Sequence, residues 1–142
     1  MASRSSNGIE LKITLPKIPD IELVALEGLE RLARHLGIAD EKIGEAKILV
    51  TEAIINAFEH AGAKNSAVRV EFTMTPENLV IFVRDYGVGF VPSEVGDPAA
   101  VRRTRGEPKR GWGIKLMKSL SDDFRIESNR KGTRITITKL LT

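Results

Sequence analysis

Glu52 and Asn56 stand four residues apart in the stretch EKIGEAKILVTEAIINAFEHAGAK, residues 41–64. On a helix that spacing stacks both side chains on one side. A carboxylate placed there can accept a proton, and a carboxamide oxygen is a neutral ligand for a hard cation such as Mg²⁺. Glu59 and His60 come one turn later. The helix that would carry them has its own apolar stripe at Ile43, Ala46, Val50, Ile54, Ala57 and Ala61, recurring every three or four residues. Alone, such a polar set is also the pattern of a solvated face on any amphipathic helix, so its meaning depends on the rest of the chain.

Three more groupings carry chemistry of their own. Asp85-Tyr86-Gly87-Val88-Gly89-Phe90 leaves an apolar strand with a carboxylate and two glycines. It reads either as an Asx-type turn or as a place where backbone approaches a ligand while Asp85 takes an exocyclic amine such as that of adenine. Arg110-Gly111-Trp112-Gly113-Ile114 sets a Gly-x-Gly at a helix start, where free N–H groups and the helix dipole favour phosphate. It is neither a Walker A loop nor a full dinucleotide-binding fingerprint. Gly132-Thr133 is either hairpin chemistry or a hydroxyl placed beside Asp85.

The elements that must position these groups are legible from periodicity. Ile9, Leu11, Ile13 and Leu15 alternate with polar residues up to Pro16, which predicts a half-buried first strand. A helix is expected from Asp20, as N-cap, to about Leu36, with Gly37 as its stop and Ile21, Val24, Leu29, Leu32, Ala33 and Leu36 on one side. Asp40 is then expected to cap the central helix, which ends at Gly62. Val68–Met74 and Leu79–Arg84 read as strands joined at Pro76-Glu77-Asn78, the second one apolar enough for a central position. Residues 87–111 break regularity with glycines and prolines, and a loop that long is usually functional, often a lid. A short helix from Ile114 to Leu120 and a closing hairpin turning at Asn129–Gly132 complete the chain. The order β-α-α-β-β-loop-α-β-β predicts an α/β two-layer sandwich, with a mixed, largely antiparallel sheet covered on one face by helices.

At 142 residues, 42% hydrophobic and 29% charged, the composition is that of one globular domain over residues 8–142 behind a flexible leader at 1–7. No apolar run is long enough to cross a bilayer as a helix. The absence of cysteine excludes disulfides and thiolate metal sites and fits a reducing, cytoplasmic setting. Net charge is only +3, with the basic excess gathered at Arg102, Arg103, Arg105, Lys109 and Arg110. One Trp, one Tyr and no basic–aromatic interleaving disfavour nucleic acid as the partner of that cluster, leaving phosphate or an acidic protein.

Taken in order, E-x-x-x-N on a helix, D-x-G-x-G after a strand, a lid, G-x-G at a helix start and G-T before the last strand resemble the GHKL ATPase superfamily with its Bergerat fold. TEAIINAFEHA, RDYGVGF, RGWGIKLMKSL and KGTRITITK are most similar to the bacterial anti-sigma-factor serine/threonine kinases, and the resemblance covers roughly residues 8–140. It implies an Mg·ATP-dependent kinase that binds a sigma factor and phosphorylates an anti-anti-sigma, STAS-type protein, with a homodimer among the assemblies it allows. It further implies Glu52 as general base, Asn56 as a ligand of the nucleotide's Mg²⁺, Asp85 as reader of adenine, and Thr133 as support for the adenine pocket. Gly87, Gly89, Gly111 and Gly113 would let backbone approach the nucleotide. Where the superfamily's histidine kinases often carry Lys this chain has Glu59, which leaves Arg110, another lid cation, or Lys115 to meet the terminal phosphate. The competing functions are a histidine-kinase-type catalytic domain and a nucleotide-dependent binding module that transfers no phosphate.

Overall fold

A computed structural model describes residues 8–60, 67–85 and 108–142 of the chain, without the side chains of His60 and residues 108–111. The leader, the expected helix end at Gly62, Gly87, Gly89 and the loop cations up to Arg105 lie outside the described residues, as does the side chain of Arg110.

The elements follow the expected order: β1 (Ile9–Leu15), α1 (Glu22–His35), α2 (Asp40–His60), β2 (Val68–Met74), β3 (Asn78–Asp85), α3 (Pro108–Leu120), β4 (Asp123–Asn129) and β5 (Gly132–Leu140). The strands form one sheet in the order β1-β2-β3-β5-β4. All four pairings are antiparallel, so the expected mixed character is absent among the described strands. The apolar β3 is central, but only alternate residues, Leu79, Ile81 and Val83, are fully buried. Val80 and Phe82 are half-buried on the face that no described helix covers, and their bulk is what made the strand look continuously apolar.

The helix-covered face supplies the core: Val70, Phe72, Ile81, Val83, Ile135 and Ile137 meet Leu49, Val50, Ala53, Ile54 and Ala57 of α2, all at most 1% exposed. The stripe expected on α2 is therefore the buried one, apart from Ala61, which lies outside the described residues. On α1 the stripe is Ala25, Leu29 and Ala33, and Val24, expected inward, is exposed. Small residues bring α1 close to β1: a β-carbon on Gly28 would lie 2.8 Å from Leu11 Cδ2.

Two helix starts differ from expectation. Asp20 takes a positive φ of 61°, tolerated by a short polar side chain, and Ile21 occupies the cap position without a side-chain bond. Asp40 lies inside α2, since the Ile43 N–H already donates to Ala39 O. Its carboxylate instead accepts from Arg34 Nη1 at 3.0 Å, tying the end of α1 to the start of α2. Gly37 stops α1 as expected, at φ 74°, with the Ile38 N–H bonded to Ala33 O and the Gly37 N–H to Arg34 O. This is a Schellman closure, which satisfies two orphan carbonyls. α3 starts at Pro108, earlier than the expected Ile114, because Pro suits a first helical position whose N–H needs no partner.

One buried cation ties three elements together. Lys139 on β5, 4% exposed, donates from Nζ to Glu45 Oε1 on α2 at 2.7 Å and to Leu120 O at the end of α3 at 2.9 Å. A positive charge at a helix C-terminus also answers the α3 dipole. The hydrogen bond from Lys139 holds the Glu45 carboxyl below its ordinary value of 4.5, and Lys47 does the same to Glu30 between α2 and α1. A lowered folded-state value means the unfolded chain binds more protons, so this stability is present above about pH 4.5 and is lost in acid. Lys139→Met should therefore lower the melting temperature at pH 7. The gap to the native protein should narrow as melts are repeated from pH 5 down to about pH 3. A gap independent of pH would show that the pair contributes nothing through Glu45.

Candidate functional site

Burial of the Leu49–Ala53–Ala57 side of α2 fixes the helix's rotation and turns Glu52, Asn56 and Glu59 toward α3. Between the two helices lies a cavity of about 200 Å³ lined by these three residues, Ile55, Trp112, Gly113 and Leu116. The pair first singled out by spacing thus shares one concave site, together with the second glycine of the Gly-x-Gly.

Each polar member sits differently. Glu52 is half-buried and Glu59 exposed at the rim. Asn56 is 4% exposed, and its Oδ1 is buried with no hydrogen-bond partner among the described residues. An unsatisfied buried carboxamide oxygen costs about 1–3 kcal/mol, so a native chain that retains one usually has a use for it. A neutral oxygen lone pair with carboxylates beside it is what a hard divalent cation accompanied by an anionic ligand needs. The donor set therefore fits Mg²⁺.

Gly113 is buried against Glu52. A β-carbon built there would stand 2.7 Å from Glu52 Oε1 and 3.8 Å from Cδ. Trp112, 49% exposed, and Leu116 are apolar rim residues one turn apart on α3, and periodicity alone does not mark them as part of a site. Their i,i+4 spacing was the available signal, but it served equally well for core. Lys115 is exposed, and its Nζ lies 5.9 Å from the Trp112 ring centroid, within cation–π reach. It meets the site through that ring and does not line the cavity itself.

Asp85 and Thr133 are placed apart from the cavity lining, on the helix-covered face at one end of the sheet. Asp85 is fully buried and pairs in register with Val68. It lies one residue beyond the Arg84–Arg134 pair, which sets it beside Thr133 on the neighbouring strand. The Thr133 hydroxyl is 3.0 Å from Ser128 Oγ, its cross-strand partner, so the hairpin orients it. Gly132 enters that hairpin at φ 128°, which only glycine adopts readily. Asp85 and Thr133 therefore meet in space, and α2 packs over both strands that carry them.

An apolar side chain at 56 should relieve the orphaned oxygen. Asn56→Leu is expected to raise the unfolding free energy of the ligand-free chain by about 1 kcal/mol in urea titration. A loss of stability would mean that Oδ1 is satisfied in solution.

The chain matches the family described as "Histidine kinase-like ATPase domain" over residues 19–139. It is 28% identical over 143 residues to the serine-protein kinase RsbW of Listeria innocua, covering 93% of this chain and 87% of that one. It is 29% identical over 139 residues to the serine-protein kinase RsbW of Bacillus subtilis, with 94% and 85% covered. Among solved structures it resembles one containing the RsbU and RsbW domains of a Mycobacterium tuberculosis protein, with a TM-score of 0.68 and 20% identity. That match covers 93% of this chain and 32% of the other. A chain of the SiaB–SiaC complex from Pseudomonas aeruginosa gives a TM-score of 0.61 at 13% identity, with 98% and 92% covered. These two likenesses bear on the fold. The family match spans most of the chain, and the chain belongs to the histidine kinase-like ATPase family.

Proposed function

We propose that this protein is an Mg·ATP-dependent serine/threonine kinase acting as an anti-sigma factor, with an anti-anti-sigma, STAS-type protein as its phosphoryl acceptor and a sigma factor as its alternative partner. The observation that carries the reading is the convergence on one cavity, beside the Gly-x-Gly helix, of Glu52 and the buried Asn56 Oδ1, which has no partner among the described residues. The family supplies nucleotide binding. The relatives named as serine-protein kinases, matched over most of their length, support serine or threonine as acceptor.

The geometry supports a division of labour among these residues. The cavity of about 200 Å³ is smaller than the roughly 300–1,000 Å³ of whole-ligand pockets. It suits the phosphate end of a nucleotide, with adenine read beyond it by Asp85, beside Thr133. Bound Mg²⁺ supplies neutralisation of charge on the phosphates. Asn56 offers it a side-chain oxygen, and the N-terminal turn of α3 offers its dipole and open N–H groups to a phosphate oxygen. Lys115, Arg110 and the neighbouring cations are the candidates for the terminal phosphate. Glu52 accepts a hydrogen bond from the acceptor hydroxyl and takes its proton as the new oxygen–phosphorus bond forms. The bond from phosphorus to the bridging oxygen breaks, and ADP leaves with that oxygen.

Incubation with labelled Mg·ATP and candidate anti-anti-sigma proteins tests the activity. Acid-stable phosphate on the partner is expected; acid-labile phosphate would indicate histidine-kinase chemistry, and tight binding without transfer a pure binding module. Glu52→Gln should lower the transfer rate by about 10²–10⁴ with nucleotide affinity within a few-fold. Asp85→Asn should weaken nucleotide by about 1–3 kcal/mol in calorimetry with or without EDTA. Asn56→Leu should weaken it mainly when Mg²⁺ is present. Equal losses in both buffers for both variants would overturn the assignment of metal to Asn56 and adenine to Asp85.

A further inference from the structure

Glycine at 113 has two distinct reasons to be there, and the geometry separates them. The first is close approach of backbone to phosphate, as expected for a Gly-x-Gly at a helix start. α3, however, begins at Pro108, so the N–H of Gly113 lies beyond the open donors of the first turn. In an α-helix the N–H of residue 113 is committed to the carbonyl of residue 109. The second reason is steric. The missing side chain faces Glu52, and a methyl group at 113 would come within 2.7 Å of Oε1, closer than nonbonded atoms stand. The backbone of α3 cannot give way freely, because Ile114 and Met117 of the same turn are buried in the core. The atom that yields is the end of the Glu52 side chain, which turns about its own single bonds.

We infer that Gly113 is a positioning residue for Glu52: its bare α-carbon is the wall against which the carboxylate rests, and it sets where the base meets the acceptor hydroxyl. This rests on the reading of Glu52 as general base. The glycine would thus be required by the acceptor side of the reaction and not by the nucleotide. It also makes α3, the helix that carries the Gly-x-Gly, a direct neighbour of the base on α2, so that the two helices must keep their spacing for Glu52 to be in place.

The test is Gly113→Ala in the full chain, alone and combined with Glu52→Ala. A methyl group that displaces the carboxylate by about an ångström should lower kcat by roughly 10²-fold, with KM for ATP and calorimetric ATP affinity within about threefold. Alanine favours a helix interior over glycine, so Gly113→Ala should raise the melting temperature clearly in the Glu52→Ala background, where nothing opposes the methyl. In the native background the same change should raise it less or lower it. An equal shift in both backgrounds would show that the methyl group and the carboxylate do not meet, and would overturn the inference. So would an ATP affinity that falls in parallel with kcat, which would return Gly113 to phosphate approach. If Glu52→Ala alone transfers phosphate at the native rate, it is the general-base reading that fails, and the melting cycle still judges the contact.

Discussion

The packing of α2 against β3 and β5 is the constraint from which the site arises. Residues 49, 50, 53, 54 and 57 of that helix are at most 1% exposed, and a close-packed interior leaves no freedom to rotate the helix about its axis. Once that side is buried, Glu52, Asn56 and Glu59 can only face the groove toward α3. The stripe that drives folding therefore also aims the cavity-lining side chains, and a substitution in the core would reach Glu52 by turning the helix beneath it.

The site itself runs against local stability. Asn56 leaves a carboxamide oxygen buried without a partner among the described residues, at a cost that packing elsewhere must offset. Two carboxylates share the cavity with it, and three exposed apolar side chains, Ile55, Trp112 and Leu116, stand around it. Away from the site polar groups are well provided for: Lys139 meets both Glu45 and a helix end, Arg34 meets Glu30 and Asp40, and Thr75 caps the β2–β3 turn through the Glu77 and Asn78 N–H groups. A buried polar oxygen with no partner among the described residues, kept beside a cleft, is the physical signature of a binding site in an otherwise consistent fold.

The ties between elements also explain how β5 and the helices hold a common frame. Lys139 lies near the end of the strand whose beginning carries Thr133, and its ammonium reaches both α2 and α3. One strand thus fixes the Asp85–Thr133 pair at one end and the helix pair that frames the cavity at the other. The Arg34–Asp40 bond and the Lys47–Glu30 pair do the same for α1, which otherwise rests on β1 through the gap left at Gly28.

Much of this was local and therefore readable from the sequence. Alternation and helical periodicity gave every element in order, Gly37 marked the end of α1, and the spacing of Glu52 and Asn56 put them on one helix side, because these depend only on neighbouring residues. Boundaries set by competition were not readable. Asp20 and Asp40 looked like caps, but one turned the backbone instead and the other was taken by Arg34; Val24 belonged to the periodic pattern yet faces outward. What only the tertiary structure decided is which distant groups meet: Asp85 beside Thr133, Lys139 between two helices, and Gly113 against Glu52. Those contacts join segments far apart in the chain. They arise from the register of the sheet and the packing of helices on it, quantities that no residue's own chemistry encodes.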